Sequence, residues 1–143
     1  MKRWSAVALA MIGSIAIGGC FWLKPSQPLP VRAISTGAGG FEVEVAEDMV
    51  SQIRGLMNRT SLPKNGGMLF DFKTSATRCL WMRNTPIPLS VAWLDADSVV
   101  IDIQDMAPNT DDPHCSPKPS RYALEVAQGE FARKGIKVGD RFK

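Results

Sequence analysis

Concentrated charge of one sign is missing from this chain of 143 residues, where 17 Lys and Arg are interspersed with 14 Asp and Glu. Lys2 and Arg3 belong to a leader, and without them fifteen basic side chains face fourteen acidic ones. A nucleic-acid interface needs positive charge gathered on one face, so that class of partner is excluded. Histidine is scarcer still. His114 stands alone, and its neighbour Cys115 points the opposite way in extended chain, so the two do not form a base and nucleophile pair. One histidine is also too few for an ordinary zinc site of histidines and cysteines, and neither a metal nor a cofactor is expected. There is no internal repeat, and the length supports one hydrophobic core rather than two. What is present, 45% hydrophobic and 22% charged residues, is the composition of an ordinary folding domain.

The chain opens on targeting sequence. Lys2 and Arg3 form a basic n-region, Ala6 to Ile17 an apolar run, and Ile17-Gly18-Gly19-Cys20 resembles the lipobox at which bacterial lipoproteins are cleaved and lipidated. Lipidation of Cys20 is one reading. An uncleaved anchor is the other, because Phe21-Trp22-Leu23 extends the apolar run toward bilayer-spanning length. Either way residues 1–23 tie the protein to a membrane through its N-terminus, with the domain in the cell envelope outside the cytoplasm, periplasmic and membrane-tethered. Residues 24–40, with Pro25, Pro28, Pro30 and the Gly37-Ala38-Gly39-Gly40 run, read as a tether that buries nothing. A single domain is expected over residues 41–143.

Alternation dominates that domain. Phe41-Glu42-Val43-Glu44-Val45 alternates with period two, the signature of a half-buried strand. Asp48 can cap a short helix whose Met49, Val50, Ile53, Leu56 and Met57 share one face. Asn65-Gly66-Gly67 is a turn signal ahead of a buried strand from Met68 to Phe72. Further strands are expected at Leu89 to Trp93, Val99 to Ile103 and Arg121 to Val126, with a hairpin loop at Asp95 to Ser98. Glu130 to Lys134 reads as a helical turn ended by Gly135, and a last strand runs from Lys137 to Phe142. The connections are short, so mostly antiparallel pairing is implied. The expected class is mainly β, a β-rich α+β domain, built as a single compact antiparallel barrel or sandwich with one or two short helices.

Five ordered motifs carry a resemblance. Arg54-Gly55-Leu56-Met57 with Arg59, Gly67 to Phe72, Trp81-Met82-Arg83-Asn84-Thr85 with Ile87-Pro88-Leu89, Arg121-Tyr122-Ala123-Leu124-Glu125, and Gly139-Asp140 together resemble the exported prokaryotic family catalogued as a domain of unknown function, number 192. The resemblance implies a compact, mainly β fold behind a signal sequence, and no activity. Ser90 and Ser98 depart from it, standing where the family frequently has an acid and a hairpin glycine.

Cysteine arithmetic gives the sharpest chemical expectation. With Cys20 in the leader, Cys79 and Cys115 remain as an even pair in an oxidising compartment, and we expect them to be bonded. The sequence places the binding constellation at Trp81, Arg83 and Asn84, with Arg54, Arg59 and Asp71 as neighbours. A large aromatic, cations and an amide ahead of a proline-stiffened strand suit a small anionic or sugar-like ligand. The structural alternative has Trp81 and Met82 in the core, Asn84 and Thr85 in a turn, and Arg54 paired with Asp71. Met57, Met68, Met82 and Met106 read as core filler before they read as copper ligands. Asp95 with Asp97, and Asp111 with Asp112, read as turn residues before calcium ligands. The preferred function is a non-enzymatic accessory module of the envelope that binds a small ligand or a partner. The alternative is a small envelope hydrolase with Asp71 as general base beside Arg54 or Arg83. A third reading has the domain pack on another envelope protein through an exposed apolar patch.

Overall fold

The computed structural model describes residues 28–143. The leader over residues 1–23, Cys20 and the start of the tether lie outside the described residues. The rest of the expected tether is corrected by the structure, because β1 (Val31–Ser35) lies within it. β1 pairs antiparallel with β2 (Gly40–Ala46), Ser35 opposite Gly40, through a loop closed by the Thr36 N–H donating to the Gly39 carbonyl. The sequence hid this strand because its side chains are mostly exposed, so no buried face imposes a period.

From β2 the chain crosses over through α1 (Met49–Arg54) to β3 (Gly66–Ala76), which lies parallel to β2. This is the one departure from antiparallel pairing in a sheet of order β1-β2-β3-β8-β5-β6. β4 (Cys79–Leu80) and β7 (His114–Cys115) form a separate two-stranded ladder. β5 (Leu89–Leu94) and β6 (Val100–Met106) make the expected hairpin, its loop fixed by the Asp95 carboxylate accepting from the N–H groups of Asp97 and Val99. β8 (Ser120–Ala127) inserts between β3 and β5, and α2 (Glu130–Lys134) follows. The last expected strand is reduced to a single bridge between Val99 and Arg141.

The domain is thus mainly β, an α+β sandwich-like arrangement around a mixed six-stranded sheet, and the barrel alternative falls because β1 and β6 remain open edges. Both faces of the central strands are buried. One carries Val43, Leu124 and Val126 under Phe131 of α2 and the C-terminal Phe142. The other carries Met68, Phe70, Val91 and Trp93 under Leu56, Met82 and Met106. Ser90 stitches the elements at one end, its hydroxyl donating to Asp105 of β6 and accepting from the Gly129 N–H before α2.

Candidate functional site

α1 is too short to be stable by itself, so its ends are specified locally. The Asp48 carboxylate accepts from the N–H groups of Val50 and Ser51 at 2.9 and 3.0 Å, while the Ser51 hydroxyl accepts from the Asp48 N–H, a reciprocal cap. Gly55 ends the helix at φ 47°, ψ −133°, a conformation nearly closed to residues with a Cβ. Gln52 ties the helix down by donating to the carbonyls of Ala46 and Asp71. Leu56 is buried beyond it, but Met49, Val50 and Ile53 are 75%, 65% and 58% exposed. The expected apolar face therefore exists and is mostly left in solvent, which is unusual for so short a helix.

Facing α1 across a cleft is the segment after β3. A bond between Cys79 and Cys115, directly opposite in the β4–β7 ladder, fixes its start as expected. The Met82 N–H then donates to the Thr110 carbonyl, and Met82 is buried. Asn84 takes a left-handed conformation at φ 53°, which asparagine tolerates, and its carbonyl accepts from the Asn58 N–H. The consequence is that Met82 turns in and Trp81 turns out, 45% exposed. The Arg83 guanidinium stacks 4.6 Å from the Trp81 ring centroid and pairs with Asp111 at 2.8 Å, so it braces the indole from outside.

The cleft between these elements encloses about 220 Å³. Ile53 and Arg54 of α1 form one wall, Leu80 and Trp81 the other, and Phe70, Phe72 and Glu125 lie between them. Glu125 is the feature that sequence reasoning missed. It lies opposite Met68 of β3 and Val91 of β5, only 4% exposed, and no group among the described residues hydrogen-bonds its carboxyl. Desolvation pushes its pKa up to about 8, so it is neutral at physiological pH and presents an O–H donor beside a carbonyl acceptor. β8 approaches β3 closely here because Gly67 has no side chain: a Cβ at that position would meet the Glu125 carbonyl oxygen at 2.4 Å.

The six expected binding residues do not gather into one site. Trp81 and Arg54 line the cleft with Glu125, and Arg83 supports Trp81 from behind. Arg59 lies on the other side of α1, in a second depression that also borders Arg54, and pairs with Glu44 at 2.7 Å. Asn84 serves the turn, its carbonyl paired with the backbone of Asn58. Asp71, whose carbonyl accepts from Gln52 of α1, makes no ion pair with an arginine of that helix: its carboxylate pairs with Lys73 at 2.9 Å and lies 3.6 Å from Arg121. Its burial would raise its pKa, but the hydrogen bonds from Lys73 and the attraction of Lys73 and Arg121 outweigh that and hold it below the usual carboxylate range. Asp71 is therefore a poor general base, and Arg54 makes no ion pair with it. Met68, Met82 and Met106 sit in the core. Among the described residues no three His, Cys, Asp or Glu side chains cluster as metal ligands, and no helix is long and apolar enough to cross a membrane.

Segments of four of the motifs quoted above meet at this cleft: Arg54 to Met57, Phe70 with Phe72, Trp81, and Glu125. Residues 32–143 match the model of the family DUF192, described as an uncharacterized ACR. No curated protein matches the chain. Among solved structures, a protein of unknown function from Novosphingobium aromaticivorans DSM 12444 is 32% identical, with a TM-score of 0.78 over 83% of this chain and 89% of that one. A protein from Sinorhizobium meliloti 1021, provisionally described as a transcription regulator, is 29% identical, with a TM-score of 0.79 over 83% of this chain and 97% of that one.

Proposed function

For a chain that belongs to the uncharacterised domain of unknown function family 192, we propose a role as a small-ligand-binding accessory module of the cell envelope, its site the cleft between α1 and Trp81. The observation that carries the reading is the Glu125 carboxyl, on a residue only 4% exposed, which lines a largely apolar cleft beside Arg54 and Gln52 with no hydrogen-bond partner among the described residues. Its oxygens are not sealed off as Arg78 Nε, Trp93 Nε1, Ser120 Oγ and Arg121 Nε are, so a ligand atom in the cleft can reach them and supply the missing hydrogen bond. The exposed apolar side chains of α1 and the indole of Trp81 supply contact area at the mouth. Tethering through residues 1–23, by a lipidated Cys20 or an uncleaved anchor, would keep the module at a membrane surface in the envelope. The Cys79–Cys115 bond supports an oxidising location.

A hydrolase reading would rest on Glu125, whose raised pKa suits a general acid, rather than on Asp71. The cleft brings no second carboxylate, hydroxyl or imidazole beside it, so binding is the reading we carry forward. The test is a thermal-shift screen of small acids, amides, amines and sugars on the full chain, repeated with Trp81→Ala and Arg54→Ala. A cleft ligand at a hundred times its Kd stabilises by about 2.7 kcal/mol; that gain should shrink in Trp81→Ala for every cleft ligand, and in Arg54→Ala for the acids. A compound that stabilises parent and variants equally would remove the cleft from consideration.

A further inference from the structure

Two features of the cleft together narrow the class of ligand. The first is the donor on its floor. Glu125 is flanked by Met68 and Val91 and lies behind Phe70, with desolvation the cause acting on it and no cation or hydrogen bond to support an ionised form. The second is the charge at its mouth. Arg54 is the one other charged side chain that lines the cleft, and it makes no ion pair among the described residues. Two further guanidinium groups stack on the lining rings: Arg78 lies 5.0 Å from the Phe72 centroid, and Arg83, already paired with Asp111, lies 4.6 Å from that of Trp81.

The groups that face Glu125 from each packed element are few. α1 brings Arg54 and the neutral Gln52, whose amide is already donating to two carbonyls. β3 brings Met68, Phe70 and Phe72, and β4 with its extension brings the bonded Cys79, Leu80 and Trp81. β5 brings Val91, and on β8 itself Arg121 is engaged by Asp71. No carboxylate other than Glu125 borders the cleft, and Arg54 is the one cation that does.

We propose that the cleft takes a small amphipathic anion, a carboxylate or another oxyanion on an apolar body, which accepts the Glu125 O–H, is attracted by Arg54 and leaves when Glu125 loses its proton. The inference rests on the reading of the cleft as a small-ligand site. A cationic ligand would use the same floor in the opposite sense. It would require Glu125 ionised, would meet the Arg54 guanidinium in the lining, and would bind more tightly as pH rises. The sign of the pH dependence therefore separates the two.

The experiment uses the full chain in lipid nanodiscs with methyl-labelled methionine, so that Met49 and Met57 report on the cleft itself and not on partition into lipid. The probes are hexanoate, hexanamide and hexylamine, which share one apolar body and differ in charge. Hexanoate should move the Met49 and Met57 methyls, and its affinity should fall about tenfold for each pH unit above about 8 in the parent. In Glu125→Gln, which keeps a donor and cannot ionise, that dependence should vanish. Arg54→Ala, at an exposed position, should weaken hexanoate and leave hexanamide unchanged. Equal binding of all three probes, hexanoate binding that is flat with pH in the parent, or tightest binding of hexylamine with the opposite slope would each overturn the anion inference while leaving the cleft as a site. Failure of every probe to move either methyl at millimolar concentration would overturn the small-ligand reading and this inference with it.

Discussion

Replacing Glu125 by Gln should make the protein more stable as the solution becomes alkaline, and by an amount the structure sets. In the folded chain the carboxyl retains its proton up to about 8, whereas its ordinary value is 4.5. Between those two values the native state binds a proton that the unfolded state has released, so stability falls as pH rises through the window. Below about 4.5 both states are protonated and the group contributes nothing to the difference. Above about 8 the native state must either bury a charge or open the cleft to water. At about 1.4 kcal/mol for each factor of ten in proton affinity, the full loss is about 5 kcal/mol, large beside the roughly 5–15 kcal/mol that a domain has in total. Gln is isosteric and stays neutral, so it escapes the loss. Urea unfolding followed by the fluorescence of the fully buried Trp93 would measure it across pH. The two proteins should agree within about 1 kcal/mol at pH about 4.5 and below, with the variant gaining steadily from there to about pH 8. Because every other titrating group is common to both, a gap that stays constant with pH would refute the assignment of a neutral Glu125.

Other consequences are separable. Replacing Cys79 and Cys115 by serine opens a link across 36 residues, which on the chain-entropy model costs about 4 kcal/mol; a denaturant midpoint unchanged from the parent would contradict this. Gly55→Ala forces a Cβ into the φ 47° conformation that ends α1 and should cost about 1–3 kcal/mol, readable as a lowered thermal midpoint. Gly67→Ala drives a methyl against the Glu125 carbonyl oxygen and should cost at least about 1–3 kcal/mol, with loss of probe binding as β8 is displaced. Trp81→Ala removes a half-exposed ring and should change stability little while weakening ligand binding.

Much of the fold was legible because its strands obey simple periodicity or are bounded by turn residues. Phe41 to Val45 alternates and forms most of β2, and the Asp95 to Ser98 loop uses side-chain acceptance that aspartate makes easy. β1 was not legible, since an exposed edge strand within a Pro- and Gly-rich stretch looks the same as a tether. The parallel β2–β3 pair was missed for a related reason: six helical residues are a short crossover, and the rest of the connection has no period of its own. At the site, Trp81 and Arg54 were legible as residue types that bind. Glu125 was not. In sequence it alternates with Tyr122, Leu124 and Val126 and reads as the solvent side of a half-buried strand. Only the insertion of β8 between β3 and β5, with both faces covered, turns that position into a buried one. A charged residue on a strand that proves central is the signal that could have found it.

The most direct measurement of the central claim is a carbon-13 titration of the Glu125 side-chain carboxyl in the full chain, assigned by comparison with Glu125→Gln. The account predicts a midpoint near 8, moved higher when hexanoate is bound. A midpoint in the ordinary carboxylate range around 4.5 would mean that the floor of the cleft is an ionised, hydrated acid, and the account would be wrong.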